Sequence, residues 1–478
     1  MPRDDASRPV PAPPTAAVVL AAGEGRRMRS AVPKVLHAVG GATLLGHAVA
    51  AVAALAPEHL AVVVGHGREQ VCGELDALAD RFGRPVTSAV QAEQLGTGHA
   101  VRCGLEALPS GLTGAVLVTY GDVPLLAPAT LAGLVAEHEA AGAAVTLVTG
   151  EPADPTGYGR IVRGPDGAVL GIVEHRDATP EQRAIREVNS GIYAFDAEFL
   201  AASLDGLERH NAQGELYLTD LVAAAVAAGR VVQAVPCRDA WQTQGVNDRV
   251  QLAEIRAELN RRVLHRWMLE GVTVVDPATT WVDVDVVLGR DVVLHPGVQL
   301  HGATRVDDGA EVGPDTTLAD CLVGEGATVV RTHGSASEIG PGASVGPFAY
   351  LRPGARLGER GKIGTFVEVK NSEIGRGAKV PHLSYIGDAE IGSGTNIGAG
   401  AITANFPHQP GLPKGRTTIG DGVRTGVHNS FMAPVTIGDG AWVAAHSIVT
   451  DDVPPGAMAI ARARQVTKEG YVDRQRNG

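Results

Sequence analysis

The chain has 478 residues, with 41 Lys plus Arg against 53 Asp plus Glu, a formal charge of −12 and no polybasic run. Such a length spans roughly two to four ordinary domains, and the acidic balance excludes backbone-driven nucleic-acid binding. Aromatics are 4% of residues while glycines number 61, so some part of the fold requires bare backbone. The four cysteines, Cys72, Cys103, Cys237 and Cys321, have neither CxxC nor zinc-like spacing and read as buried thiols in a reducing compartment. No apolar stretch reaches the ~20 residues of a membrane span, since His47, Pro57, Glu58 and His59 break the longest one.

Residues 1–14 are Pro-rich, carry Asp4 and Asp5, and read as a flexible tail rather than a secretory leader. From 15 to 246 strands and helices alternate. Ala17 to Leu20, Leu60 to Val64 and Val116 to Thr119 are continuous aliphatic runs, and Leu44 to Leu55 follows a helical pattern. This predicts an α/β, Rossmann-like domain with a mainly parallel sheet whose strand ends carry the ligand site. Residues 247–270 have helical spacing and predict one long linker helix, stopped by Gly271.

From 271 to 478 the grammar changes to a six-residue period. Leu288, Leu294, Leu300, Val306, Val312 and Leu318 form one run; Ile339, Val345, Leu351, Leu357 and Ile363 a second. Ile374, Val380 and Ile386 slip by one to Ile391 and Ile397, and Ile419, Thr425, Phe431, Ile437, Val443 and Val449 close the series. Each hexad predicts one flat side of a triangular solenoid, with an aliphatic residue inside and Gly or small residues at the corner. The pattern resembles the hexapeptide-repeat acyltransferases. That resemblance implies a left-handed parallel β-helix, trimeric assembly and sites between subunits.

In the first domain, Leu20-Ala-Ala22-Gly23-Glu-Gly25-Arg-Arg27 places glycines directly after a strand, followed by basic residues and Pro33-Lys34. Glycine backbone N–H groups can close on phosphate oxygens while Arg and Lys neutralise them. With Gln91-Ala-Glu-Gln-Leu-Gly96-Thr97-Gly-His, Tyr120-Gly-Asp122, Gly157-Tyr-Gly159, Val173-Glu174, Val188-Asn189 and Gly245-Val-Asn247, this resembles the sugar-1-phosphate nucleotidylyltransferases. Both halves together, from Ala16 to Tyr471, resemble the bifunctional N-acetylglucosamine-1-phosphate uridylyltransferase/glucosamine-1-phosphate N-acetyltransferase family.

The resemblance implies acetyl transfer from acetyl-CoA to glucosamine-1-phosphate, then uridylyl transfer from UTP to give UDP-N-acetylglucosamine and pyrophosphate. It assigns Leu20, Ala22, Gly23 and Lys34 to the nucleotide, Arg27 and Lys34 to catalysis on the phosphates, and Gln91, Gly96 and Thr97 to uracil. Asp122 and Asn247 would hold Mg²⁺, and Tyr120, Gly159, Glu174, Asn189 and Asn247 the N-acetylglucosamine phosphate. In the β-helix it implies His382 as general base, Arg352, Lys370, Tyr385 and Asn396 on glucosamine-1-phosphate, and Ala399, Asn405, Phe406, Val427, Ala445 and Arg462 on acetyl-CoA. A cytoplasmic homotrimer supplying precursor for bacterial wall polymers is the implied setting.

Four positions depart from the family pattern. Arg26 stands where Thr is usual and is expected to add charge beside the phosphates. Phe406 lacks a tyrosine oxygen, Val427 replaces a serine, and His446 replaces a glycine, with extra residues Gln409 to Pro413 nearby. These changes keep open the alternative of a diverged uridylyltransferase whose β-helix is structural or uses another acyl donor or amino sugar. A non-enzymatic scaffold is a third reading, opposed by the presence of Arg27, Lys34, Asp122 and Asn247.

Overall fold

The computed structural model describes residues 12–407 and 411–476, and it divides at 259/260 into two compact units. Most of the predicted tail, residues 1–11, lies outside the described residues. Pro14 is already buried, and its carbonyl accepts from the Glu58 N–H at 3.2 Å.

The first unit is built on a sheet whose order is Val232–Pro236, Val145–Gly150, Val188–Asp196, Ala115–Tyr120, Ala16–Leu20, His59–Val64 and Thr87–Val90. Pairs along this order are parallel except where Val188–Asp196 runs against both neighbours, and an antiparallel hairpin, Arg160–Arg163 with Val169–Val173, joins the sheet beside Val188. Along Ala16–Leu20, residues 16, 18 and 20 enter one hydrophobic core while 17 and 19 enter another, as the two-residue period of a strand buried on both faces requires. The loops after the parallel strands therefore gather at one edge: Ala21 to Gly25, Gln91, and Gly121 to Asp122. The antiparallel strand brings its beginning, Asn189, to that same edge.

The helix Arg249–Leu269 contains the boundary between the units. Asp248 caps its start by accepting from the Val250 and Gln251 N–H groups, both at 2.9 Å. In the first unit Leu252 and Ile255 pack with Met28, Leu44, Leu125 and Val246. In the second, Asn260 donates to the Thr280 carbonyl at 2.8 Å and accepts from the Val282 N–H at 3.0 Å, tying the helix to the first coil.

The second unit consists of parallel strands stacked in long sheets, the arrangement of a left-handed β-helix. Every residue of the hexad runs is buried, down to Thr425 at 8% exposure. The apparent gap between Leu318 and Ile339 is no interruption. Val323, Val329 and Gly334 continue the interior there on shortened sides, and Gly334 sits in register between Leu318 and Leu351. A Cβ at Gly334 would lie 2.9 Å from the Leu318 side chain, which supplies the missing filling. Between the strands Ile402–Ala404 and Thr417–Ile419 the described residues 405–407 and 411–416 belong to no strand.

Phe431 is fully buried in this interior. Phe431→Ala is expected to destabilise the second unit by about 3–5 kcal/mol, read as an earlier urea transition, because the flanking coils cannot close on the cavity.

Candidate functional site

At the convergent edge of the first unit, two cavities meet at shared walls formed by Tyr120, Asp122 and Asn247. The first, about 390 Å³, is lined by Leu20, Ala22, Gly23, Lys34, Gln91, Gln94, Gly96, Thr97 and Glu215 among others. The second, about 340 Å³, is lined by Arg27, Tyr158, Gly159, Glu174, Asn189, Gly191 and Gln251 among others. All the residues that the sequence assigned to the nucleotide and to the sugar phosphate thus reach one of two adjoining spaces. Arg27 lines the second of them only.

The Lys34 ammonium sits against the Asp122 carboxylate and 3.4 Å from the Asn247 amide oxygen, with both partners of the ion pair largely shielded from water. Gly25 makes this placement possible. Its φ of +63° is left-handed, and a Cβ there would fall 2.6 Å from that of Lys34. At Gly23 an added Cβ would meet nothing within 4 Å, so the loop borders open space at the point where phosphate oxygens could approach backbone N–H groups. Arg26, expected to charge the phosphate site, instead pairs with Glu24 at 2.6 Å on the exterior and lines neither cavity.

Gln91 is buried, and its amide nitrogen donates to the Gly96 carbonyl at 3.1 Å. Gly96 has φ +113° and its Cβ would strike the Leu216 backbone, so only glycine lets the loop press against that segment. Thr97 fixes the same segment by accepting from the Leu218 N–H at 3.0 Å. On the sugar side, Gly191 at φ +78° leaves the space that Tyr120 occupies, since a Cβ would lie 2.0 Å from the ring. Burial, then the charges of Glu174 and Asp122, pushes the Tyr120 hydroxyl up, so it stays a neutral donor. Glu174 accepts from the Thr219 hydroxyl at 3.1 Å, and burial pushes its carboxyl above the ordinary range. Gln94, Tyr158 and Glu215 belong to these walls although the sequence reading did not single them out, and Thr219 supports Glu174 from behind; Glu215 and Thr219 arrive from a distant loop with no local motif.

In the second unit, Tyr350, Glu368 and Tyr385 stack in register on one outer face. Arg352 donates to Glu368 at 2.9 Å, the main reason its basicity is raised. Lys370 lies 3.9 Å from Asp388, which also accepts from Asn371 at 2.6 Å and from Asn405. Burial pushes the Asp388 carboxyl up, but those hydrogen bonds and the Lys370 and Lys414 charges outweigh it and hold it low. Lys414 faces Lys370, whose hydrogen bond and charge lower its pKa. The site is thus a cationic face, with Lys414, Glu368 and Asp388 added to the residues read from sequence.

His382 is exposed at the end of the strand Lys379–His382, one corner before Tyr385. Asn396 pairs with Lys379 and Arg424 on the other side of that corner, and Ala399 follows it. Val427 is 42% exposed, so the valine that stands for serine is not a buried replacement. His446 adopts φ +58°, the left-handed conformation that glycine takes freely and histidine more readily than branched residues. Its ring stacks on His428 at 5.0 Å. Phe406 is 75% exposed, whereas Asn405 beside it is buried on Asp388. Of the extra residues, Gln409 and Pro410 lie outside the described residues. Arg462 is exposed, next to Ala461, whose N–H donates to Ser447.

The MobA-like NTP transferase domain family matches residues 17–185. Over nearly the whole length, the chain is 58% identical to the bifunctional protein GlmU of Kineococcus radiotolerans, covering 98% of this chain and 94% of that one. It is 57% identical to the GlmU of Rhodococcus opacus, over 97% and 93%, and 57% identical to that of Mycolicibacterium gilvum, over 97% and 92%. The chain belongs to the bifunctional GlmU family. Membership extends through the β-helix, so the departures at Phe406, Val427 and His446 sit within a full-length GlmU architecture.

Glu174 offers a test of the sugar cavity before any ligand is added. Its folded pKa is raised, so its charged form is penalised once pH exceeds the ordinary carboxylate range, and the penalty vanishes at lower pH. Glu174→Gln is expected to raise the melting temperature of the ligand-free protein at pH 8 by more than it does at pH 4.5.

Proposed function

We propose that this chain makes UDP-N-acetylglucosamine in two steps, one in each unit. The β-helix transfers acetyl from acetyl-CoA to the amine of glucosamine-1-phosphate, and the α/β unit transfers uridylyl from UTP to the product. The observation that carries the reading is the pair of cavities joined at Tyr120, Asp122 and Asn247, one sized for a nucleotide and the other for a sugar phosphate.

In the uridylyl step, an oxygen of the sugar phosphate attacks the α-phosphorus of UTP. A new P–O bond forms as the bond to the β-phosphate breaks and pyrophosphate departs. Such a transfer needs positioning and charge neutralisation more than covalent chemistry. Leu20, Ala22 and Gly23 border the nucleotide, Gln91, Gly96 and Thr97 receive its base, and Lys34 and Arg27 face the phosphates. Tyr120, Gly159, Glu174 and Asn189 hold the sugar through hydroxyl and amide contacts.

Asp122 and Asn247 would hold Mg²⁺. Their oxygens already converge on a cation, the Lys34 ammonium, and carboxylate plus amide oxygen is a donor set suited to this hard ion. When bound, it neutralises phosphate charge.

In the acetyl step, Arg352 and Lys370 receive the phosphate of glucosamine-1-phosphate, while Tyr385 and Asn396 flank the corner at which His382 stands. The imidazole of His382 takes a proton from the amine as the C–N bond forms; the C–S bond breaks and the sulfur of coenzyme A leaves as thiolate, to which the imidazolium returns that proton. Ala399, Asn405, Phe406, Val427, Ala445 and Arg462 line the path proposed for acetyl-CoA.

Homotrimer formation through the β-helix is supported by an exposed corner ladder. Phe348 and Phe366 stack at 5.4 Å while 50% and 59% exposed, with Leu383 above them at 60% and Arg331 over Phe348 below. The reading also places the enzyme in the cytoplasm; no helix among the described residues is long and apolar enough to cross a membrane.

Asp122→Ala is expected to lower uridylyl transfer by at least about 10²-fold and spare acetyl transfer, while His382→Ala should do the reverse by about 10²–10⁴-fold. Parallel assays of pyrophosphate release and free thiol release check both, and equal loss of the two activities from either change would sink the assignment. For the assembly, light scattering on the wild-type chain is expected to give three times the 49.2 kDa chain mass, and Phe366→Asp should shift it toward the monomer.

A further inference from the structure

We propose that His99 is a positioning residue that locks the amide of Gln91 and thereby sets which pyrimidine the nucleotide cleft accepts. The inference rests on the reading of Gln91 as the residue that meets the base.

A glutamine amide offers two N–H hydrogens and one carbonyl oxygen. Gln91 is 6% exposed, so each of its hydrogens needs a partner within the protein. One goes to the Gly96 carbonyl at 3.1 Å, and the amide nitrogen also lies 3.3 Å from Nδ1 of His99. For that second contact to be a hydrogen bond, Nδ1 must accept, which puts the ring proton on Nε2. Nε2 lies 3.6 Å from the Cys103 sulfur, a weak acceptor. Burial, then the Glu106 charge, keeps that sulfur a neutral thiol.

With both hydrogens of Gln91 committed, only its oxygen remains for a ligand. An acceptor-only edge receives the N3–H of uracil or thymine and repels the lone pair on N3 of cytosine. The fold keeps this arrangement rigid. His99 and Cys103 stand one turn apart on the helix Thr97–Glu106, and that helix begins at Gly96, the residue whose carbonyl holds the other hydrogen. Without His99, one N–H of Gln91 loses its partner, and rotation of the amide would present a donor to the base.

The test uses the full chain, with N-acetylglucosamine-1-phosphate as acceptor and UTP and CTP as donors. His99→Leu is expected to raise KM for UTP about tenfold with kcat little changed, and to narrow the UTP-over-CTP preference in kcat/KM by a similar factor, as loss of one orienting hydrogen bond implies. His99→Asn, whose amide oxygen can stand near the Nδ1 position, should restore most of both quantities. His99→Gln, which reaches toward the Nε2 position instead, should not. Unchanged KM and base preference in His99→Leu would overturn the proposal, as would Asn and Gln variants that behave alike. Gln91→Ala is measured beside them. If it leaves KM for UTP unchanged, the reading of Gln91 itself fails; if it raises KM while His99→Leu does not, only the role of His99 falls.

Discussion

The catalytic edge of the first unit is organised around a half-hidden ion pair, Lys34 on Asp122, with the Asn247 amide oxygen completing the cradle. These residues are remote in sequence. They meet because Asp122 ends a central parallel strand, Lys34 follows the glycine loop of its neighbour, and Asn247 arrives just before the helix that leaves the unit. Removing either charge strands the other in a poorly hydrated place, a state several kcal/mol worse than the pair by general experience, about 3–5. The pair therefore gives each charge a partner at the point where the two cavities meet.

The β-helix follows a different constraint. Its interior accepts one side chain per side of each coil, and identical backbone pairing repeats along the axis, so the inside tolerates little and the outside a great deal. The cationic face at Arg352, Lys370 and Lys414, balanced by Glu368 and Asp388, is an exterior feature laid over an unremarkable interior. The departures from the family pattern are exterior as well. His446 takes a left-handed backbone, which glycine adopts freely, and disposes of its ring on His428.

Most of the fold was legible because both halves carry periodic signals: aliphatic runs ending in glycine or aspartate in one, six-residue recurrence in the other. The reading failed where periodicity slipped. Leu318 to Ile339 looked like a break because shortened sides move Val323 and Val329 out of phase and Gly334 contributes no side chain at all. Cavity-lining residues embedded in glycine-rich motifs, such as Lys34 and Gln91, were readable as candidates, since close backbone approach leaves a mark in composition. Glu215, Thr219, Glu368 and Lys414 were not, because each meets its partners through long-range pairing that no local spacing encodes. Arg26, expected beside the phosphates, is paired with Glu24, two residues before it.

The boundary between the units falls within one continuous helix, and this matters to anyone who separates the two activities by cutting the gene. A cut at the apparent end of the α/β pattern, after Val246, would strip Leu252 and Ile255 from the cluster that holds Met28 and Leu44 beneath the glycine loop. A cut after Gly271 would instead deprive the first coil of Asn260, which clamps Thr280 and Val282. The helix is shared structural property, half cap and half foundation. A dissected half retains its own packing only when the break respects the turn between Leu259 and Asn260.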